Sequence, residues 1–404
     1  MTYDDWSFAA GASPGRAVHY FSLVSNDDLN ARYGARLHAG PAAAKVWSVC
    51  RALQHVGEHP VIVTGLIPGA AADLLAPPQM VESHSVPVAK LATAGRRIAR
   101  RLTAALSFLR YASTRVRPGD AVLLYNAFVD YIPAAIYLRL RGRPAILDLE
   151  DGPRTDERGL RGAVGRWSYL ILRRLCQQRV VTVSTLLAQT LGLRRALPVY
   201  GSWTPGQVAE RSHGPTLRVL FGGAILQETG VELFIGAVKR LRYTADVPIR
   251  FDVTGFYPRE IGDRLRELAS PDGPVPLHLH GEVLQAEYRR ILESADVGLC
   301  LKLSAGSMGQ TTFPSKAVEI MTSGLTLVST SVSDIPRLFG PDQAVILREE
   351  SVGELVEVLR MLALNRELCR AIGRNGQAFA RERFSPQRVG KELAAFLFDE
   401  EQPA

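Results

Sequence analysis

Short aliphatic and β-branched runs alternate with helical patterns along almost the whole chain, and the alternation occurs twice. In the first half the strand-like runs are AVHYFSLVS (17–25), PVIVTGL (60–66), ESHSVPV (82–88), AVLLYN (121–126), AILDLE (145–150), RVVTVS (179–184) and LPVYGSW (197–203). Helical patterns fall near 41–57, 90–115, 130–141, 160–177 and 185–192. The second half repeats the rhythm with LRVLFGGA (217–224), IRFDVTGF (249–256), PLHLHGEV (276–283), VGLCLKL (297–303), TLVSTSV (326–332) and AVILRE (344–349). Helices fit there at 230–242, 258–269, 285–293, 314–323, 351–363 and 366–382, with a last one at 386–398. This rhythm builds a parallel sheet covered by helices on both faces. The stretch GSWTPGQVAERSHGPT (201–216) has the Gly, Pro and Ser content of a linker, and 404 residues are too many for one compact core. The sequence therefore predicts two doubly wound, Rossmann-like α/β domains over 1–205 and 206–384. Residues 385–404 are expected to form a C-terminal helix packing back on the first domain. Ligands of such sheets bind beyond the carboxyl ends of the strands, and a cleft between two domains is the expected active site.

Composition narrows the function classes. Hydrophobic residues make up 47% of the chain and charged residues 22%, the ordinary balance of a soluble domain. No apolar run reaches the roughly 18 residues of a membrane span, and Asp4 and Asp5 stand where a signal peptide would be cationic. Cys50, Cys176, Cys300 and Cys369 fit no zinc spacing and are expected as buried free thiols in a reducing cytoplasm. The net charge of +8 is unevenly shared: residues 1–209 hold 25 Lys+Arg against 14 Asp+Glu, and residues 210–404 hold 23 against 26. Residues 83–119 and 158–209 contain no acid. A half this basic calls for an anionic partner such as a membrane surface. No RNP, KH or zinc-finger pattern appears, so nucleic acid is not expected as a partner.

Three successive strands of the second half end in glycine: Gly222 and Gly223, then Gly255, then Gly281. Glycine lets a ligand approach the backbone where a strand gives way to a loop. The stretch LKLSAGSMGQTTFPSKAVEIMTSG (301–324) follows. Gly306 and Gly309 mark a loop, and Pro314 suits the first turn of a helix. The N–H groups and dipole of that helix favour an anion such as a phosphate. Lys316 adds a point charge, and Glu319 lies on the same helix face. A carboxylate there can accept hydrogen bonds from the vicinal hydroxyls of a ribose, while the plainer reading is an exposed i,i+3 ion pair. Helix 96–115 sets Ile98, Leu102, Ala105, Leu106 and Leu109 on one face and Arg96, Arg97, Arg100, Arg101 and Arg115 on another. This is either a cationic amphipathic membrane face or a core-facing stripe with a solvated back.

The GEV turn at 281–283, SADVGLCLKLS (294–304) and FPSKAVEIMTSGLTLVSTSVSDIP (313–336) together resemble the GT-B glycosyltransferases, family 4 in particular. The resemblance covers most of the chain and is strongest over about 217–340. It implies a GT-B fold, with two doubly wound Rossmann-like domains facing across a cleft. In that family a helix carries two glutamates eight positions apart, the second gripping the donor ribose; Glu319 matches the second. The resemblance implies donor contacts from Gly40, Gly222, Gly223, Gly255, Gly281, Val283, Lys302, Thr311, Thr312, Phe313, Lys316 and Glu319. It places Asn126, Glu150 and Asp151 at the acceptor side. Glu150 stands where the family often has a histidine; there it can orient an acceptor hydroxyl or act as a base, or it is a plain capping acid.

The chain also departs from the family. Thr311 occupies the first glutamate position, and Ala224 and Thr229 fall where an arginine and a lysine usually hold the diphosphate. Lys316 and Lys302 are the remaining cations for that task. The adjacent acids Asp27–Asp28 and Glu150–Asp151 lack the context of a metal-binding DxD motif, so no metal or other cofactor is expected. The resemblance implies a retaining hexosyltransferase at the cytoplasmic face of the membrane. It would move a sugar from a nucleotide diphosphate donor to a glycan or lipid-linked acceptor in cell-envelope or exopolysaccharide synthesis. A non-catalytic GT-B partner subunit and a sugar-nucleotide epimerase are the alternatives.

Overall fold

The computed structural model describes residues 16–33, 40–65, 77–94, 98–150, 152, 159–203, 214–305, 309 and 311–399. Arg96, Arg97, Asp151, Gly306 and most of the expected linker (204–213) lie outside the described residues. The chain separates into two compact units, Met1–Ser202 with Ser385–Ala404, and Trp203–Phe384.

The first unit contains β1 (Ala17–Ser22), α1 (Asp27–Tyr33), α2 (Gly40–Gln54), β2 (His59–Thr64), β3 (Gln79–Ser83), β4 (Val86–Lys90), α3 (Ile98–Arg115) and β5 (Ala121–Tyr125). It continues through α4 (Ile132–Leu140), β6 (Ile146–Leu149), α5 (Leu160–Leu175), β7 (Arg179–Thr182), α6 (Thr185–Thr190) and β8 (Arg195–Pro198). The strands form one sheet in the order β3-β4-β2-β1-β5-β6-β7-β8, parallel except for the β3–β4 pair. Period-two alternation sorts the side chains. Val18 and Tyr20 of β1 join a core with Val46, Trp47, Cys50 and Leu53 of α2, and Phe21 joins the opposite core with α3, α4 and α5. Burial of each such large side chain contributes about 1.5–3 kcal/mol.

The second unit contains β9 (Leu217–Gly222), α7 (Val231–Thr244), β10 (Ile249–Thr254), α8 (Arg259–Leu268), β11 (Leu277–Gly281), α9 (Gln285–Ser294), β12 (Val297–Cys300), α10 (Lys316–Thr322) and β13 (Thr326–Thr330). Then come α11 (Ile335–Leu338), β14 (Ala344–Leu347), α12 (Val352–Leu364) and α13 (Arg366–Arg383). Its all-parallel sheet runs β11-β10-β9-β12-β13-β14. The strand order reverses between β9 and β12, the place where a doubly wound sheet opens a crevice beyond its carboxyl ends. The last helix, α14 (Pro386–Phe398), belongs to the first unit and lies on α2.

Local chemistry explains where the fold differs from the sequence reading. The run 82–88 is a hairpin: His84 and Ser85 take positive φ (50° and 62°) and turn β3 back onto β4, although neither is the glycine or asparagine that usually marks such a turn. Helix α1 lies outside the helices expected from the sequence, yet its signal is present. Asn26 Oδ1 accepts the Leu29 N–H at 2.9 Å, and Asp27 and Asp28 open the first turn. The helix expected from 90 begins at Ile98, because β4 claims the chain to Lys90. On α3 the apolar stripe does not face the core. Ala104, Phe108, Tyr111 and Ala112 are buried, whereas Ile98, Leu102 and Leu106 are 76%, 61% and 64% exposed. All four cysteines are free and buried.

Two helical glycines of the first unit separate packing from propensity. A Cβ on Gly390 of α14 would lie 2.1 Å from the Ala52 carbonyl oxygen of α2, whereas one on Gly165 of α5 would meet nothing within 4 Å. Alanine normally stabilises a helix interior over glycine by up to ~1 kcal/mol. Gly165→Ala should follow that rule. Gly390→Ala should reverse it and destabilise by about 1–3 kcal/mol, as overpacking does; urea denaturation followed on the first unit's transition measures both.

Candidate functional site

Register brings the second unit's glycine-ended strands into one rim. Thr254 pairs with Gly222 on one side and, after an irregularity, with Gly281 on the other. Gly223 and Gly255 follow with φ of 105° and 122°, a region open to glycine alone at little cost. A Cβ on Gly255 would lie 2.0 Å from the Gly223 carbonyl oxygen. The rim amides hold the rim together: Gly223 N–H donates to Thr254 O (3.0 Å), and Gly255 N–H to Gly281 O (2.7 Å). These glycines are thus required first by backbone approach, and what they offer a ligand is space. The space is a cavity of about 290 Å³ lined by Gly223, Thr254, Gly255, Phe256, Glu282, Val283, Tyr288 and Lys316.

Helix α10 delivers the charged group to that cavity. Ala317, Val318, Ile320 and Met321 are buried, as the sequence expects. A Cβ on Gly298 of β12 would lie 2.6 Å from Ile320, so the missing side chain lets the helix sit close on the sheet. Lys316 and Glu319 take the other face, and Lys316 Cε lies 3.2 Å from where a Cβ of Gly223 would be. Lys316 Nζ is 2.6 Å from Glu319 Oε2 and donates to Tyr288 OH at 2.9 Å, and that hydroxyl donates to Glu319 Oε2 at 3.0 Å. Burial acts to lower the Lys316 ammonium, but the Glu319 carboxylate and the Tyr288 oxygen outweigh it and hold its pKa above the usual lysine value. Burial pushes the Tyr288 hydroxyl up to about 12, with Lys316 opposing and Glu319 assisting.

One expectation about this helix needs correction. Its first-turn amides are engaged, Ala317 N–H with Pro314 O (3.0 Å) and Val318 N–H with Ser315 O (3.1 Å). The helix is only seven residues long, so the positive charge here comes from the Lys316 ammonium rather than from a free helix terminus. Lys302 is also placed differently from a free phosphate ligand, since its Nζ donates to Thr312 O at 3.0 Å and ties down the loop. Phe313 is buried and anchors the same loop, while Thr311 and Thr312 are half-buried. Thr229 closes its own turn, accepting from Leu226 N–H (2.8 Å) and donating to Ala224 O (2.9 Å).

In the first unit, Asn126 and Glu150 meet at the carboxyl ends of β5 and β6. Asn126 sits at φ 57°, its N–H donates to Asp148 O (2.7 Å), and its Oδ1 accepts the Glu150 N–H (3.0 Å). Tyr125 OH donates to Glu150 Oε2. Beside them lies a buried pair the sequence reading missed, Lys45 Nζ with Asp148 Oδ1 at 2.5 Å, with Tyr20 OH donating to Asp148 Oδ2. Gly40 opens α2 of this same unit. Arg100 is exposed, and Arg101 pairs with buried Asp130 at 2.9 Å. The sequence reading also missed Tyr288 and Glu282. The GEV turn leads straight into α9, which sets Tyr288 one turn in, but nothing local links Tyr288 to a lysine 28 positions on.

A group whose folded pKa exceeds its unfolded value stabilises the fold below the unfolded pKa and loses that contribution as pH rises through the folded one. For Tyr288 the window runs from the ordinary value of 10.0 to about 12. The melting temperature should fall across that window, and Tyr288→Phe should flatten the fall; thermal melts of both proteins against pH measure it.

Residues 228–395 match the family described as Glycosyl transferase-like. The MMP α-(1→4)-mannosyltransferase of Mycolicibacterium hassiacum is 34% identical over 170 residues, a match spanning 41% of this chain and 39% of that relative. Among solved structures, sucrose-phosphate synthase from Thermosynechococcus elongatus shares the fold at a TM-score of 0.66 with 12% identity, over 94% of this chain and 97% of that one. The Anabaena HepE protein in complex with UDP and glucose does so at 0.65 with 12% identity, over 94% and 98%. Residues 228–395 are thus similar to glycosyltransferases, and the fold is that of the GT-B type.

Proposed function

We propose that the chain is a retaining, family 4-type glycosyltransferase that takes a hexose from a nucleoside diphosphate donor held at the second unit's rim. The observation that carries this reading is the Lys316–Glu319–Tyr288 triangle beside Gly223. An ammonium kept protonated through the neutral range stabilises a departing diphosphate, which is where charge develops in glycosyl transfer. The adjacent carboxylate accepts from two vicinal ribose hydroxyls. With Lys316 carrying the leaving-group charge, the reaction needs no metal. A donor phosphate oxygen takes the acceptor's proton, and Glu150, held by Tyr125 and Asn126, orients the acceptor hydroxyl. The UDP and glucose bound to Anabaena HepE support a nucleotide-sugar donor, and the mannosyltransferase relative supports transfer of a hexose. The acceptor we assign is a glycan or a lipid-linked glycan of cell-envelope or exopolysaccharide synthesis, glycosylated from the cytoplasmic side.

A second reading is a non-catalytic partner subunit with the same fold. Thr311 in place of a carboxylate and the self-closed turn of Thr229 favour it. A thermal-shift screen against UDP, GDP, ADP, CMP and TDP, followed by donor hydrolysis, separates the two. The catalytic reading expects one nucleotide to raise the melting temperature, Glu319→Ala to weaken that nucleotide by about tenfold or more, and Lys316→Ala to lower turnover by about 10²–10³. Binding without hydrolysis or transfer would favour the partner subunit, and no binding at millimolar nucleotide would remove the donor-site assignment.

A further inference from the structure

We propose that the outer faces of α3, α4 and α5 form one docking surface for an anionic lipid bilayer, with Trp167 seated in the interfacial layer. All three helices pack on the same face of the first sheet, around Phe108, Tyr131, Leu138 and Leu172. Their outward sides therefore belong to one surface. Every large hydrophobic side chain exposed on the first unit, among the described residues, lies on these helices. Ile98, Leu102 and Leu106 recur at i, i+4 and i+8 along α3, Leu140 ends α4 at 82% exposure, and Trp167 and Leu170 stand on α5 at 56% and 61%. Single exposed hydrophobics are ordinary on any protein; their confinement to one helical layer marks an interaction surface.

The charge on that layer selects the occupant. Helix α3 carries four arginines, α4 one and α5 four, and none of the three carries an acid. Of the acids bordering α3 and α4, Asp120 after α3 is mostly buried against His19, and Asp130 before α4 is buried and paired with Arg101. An acid-free field of arginine around exposed leucine and tryptophan matches a surface of lipid phosphates over hydrocarbon. Arginine stems can lie along the apolar zone while their guanidinium groups reach the phosphates. A tryptophan suits the same boundary, with its apolar body on one side and its N–H on the other. A second copy of the chain is a poorer occupant, because a two-fold contact would set this arginine field against itself. No described helix is long and apolar enough to cross a membrane, so the contact is one of lying on the bilayer surface. This inference stands apart from the donor site in the second unit.

Co-sedimentation of the full chain with vesicles of phosphatidylglycerol and phosphatidylcholine, beside vesicles of phosphatidylcholine alone, tests it. The protein should bind the anionic vesicles, more weakly as salt rises. The combined variant Leu102→Glu, Leu106→Glu, Trp167→Glu should bind at least about tenfold more weakly with its melting temperature unchanged, since these side chains are exposed. Tryptophan emission should shift to the blue on binding, and Trp167→Phe should abolish the shift while keeping most of the binding. Failure to bind anionic vesicles would overturn the proposal, as would equal binding to phosphatidylcholine alone or a combined variant that binds like the parent. Light scattering that shows a dimer split by the combined variant, without vesicle binding, would assign the face to self-association instead.

Discussion

A lysine ammonium pressed against a glycine organises the second unit. Helix α10 lies close on β12 because Gly298 has no side chain under Ile320, and that depth brings Lys316 against the backbone of Gly223. A side chain at Gly223 would claim the place of the Lys316 methylene, and one at Gly255 would collide with the Gly223 carbonyl. The glycines, the helix depth and the charge therefore stand or fall together. Glu319 and Tyr288 neutralise and brace the ammonium at 2.6 and 2.9 Å. A buried charge is costly unless partnered. On the proposed reading an incoming diphosphate would exchange one anionic partner for another, which costs less than charging an empty pocket. The exchange also frees the carboxylate for a neutral hydroxyl partner.

The two units divide the physical work by charge. The second unit concentrates its site chemistry at the carboxyl rim of an all-parallel sheet. The first unit holds most of the positive charge, and its α3, α4 and α5 carry nine arginines and no acid beside the exposed leucines and Trp167. Its own sheet rim carries a different chemistry: a buried lysine–aspartate pair and a glutamate fixed by a tyrosine and an asparagine. Such a set is suited to orienting neutral hydroxyls rather than to holding a polyphosphate.

Much of this was legible in the chain because its signals are local and repeated. Apolar runs of four to six residues spaced by helical patterns led directly to the two parallel sheets. The i,i+3 spacing of Lys316 and Glu319 anticipated a contact that the structure places at 2.6 Å. What stayed hidden depends on partners distant in sequence. Tyr288 meets Lys316 only because α9 and α10 flank one crevice, and Lys45 meets Asp148 across 103 positions. The turn at His84 and Ser85 was hidden for another reason: neither residue is the usual glycine or asparagine signal of a hairpin turn, yet both take positive φ where β3 pairs with β4. The apolar stripe of α3 was visible in sequence, but whether it met the core or solvent was decided by Phe108 and Tyr111, which take the buried face instead.

The proposed donor site requires Lys316 and Glu319 to change partners when a donor arrives. A crystal structure of the full chain with its preferred nucleoside diphosphate tests that most directly. The predicted result is a Glu319 carboxylate hydrogen-bonded to the ribose hydroxyls and a Lys316 ammonium on a phosphate oxygen beside Gly223. A nucleotide bound elsewhere, with the 2.6 Å contact between Lys316 and Glu319 intact, would contradict it.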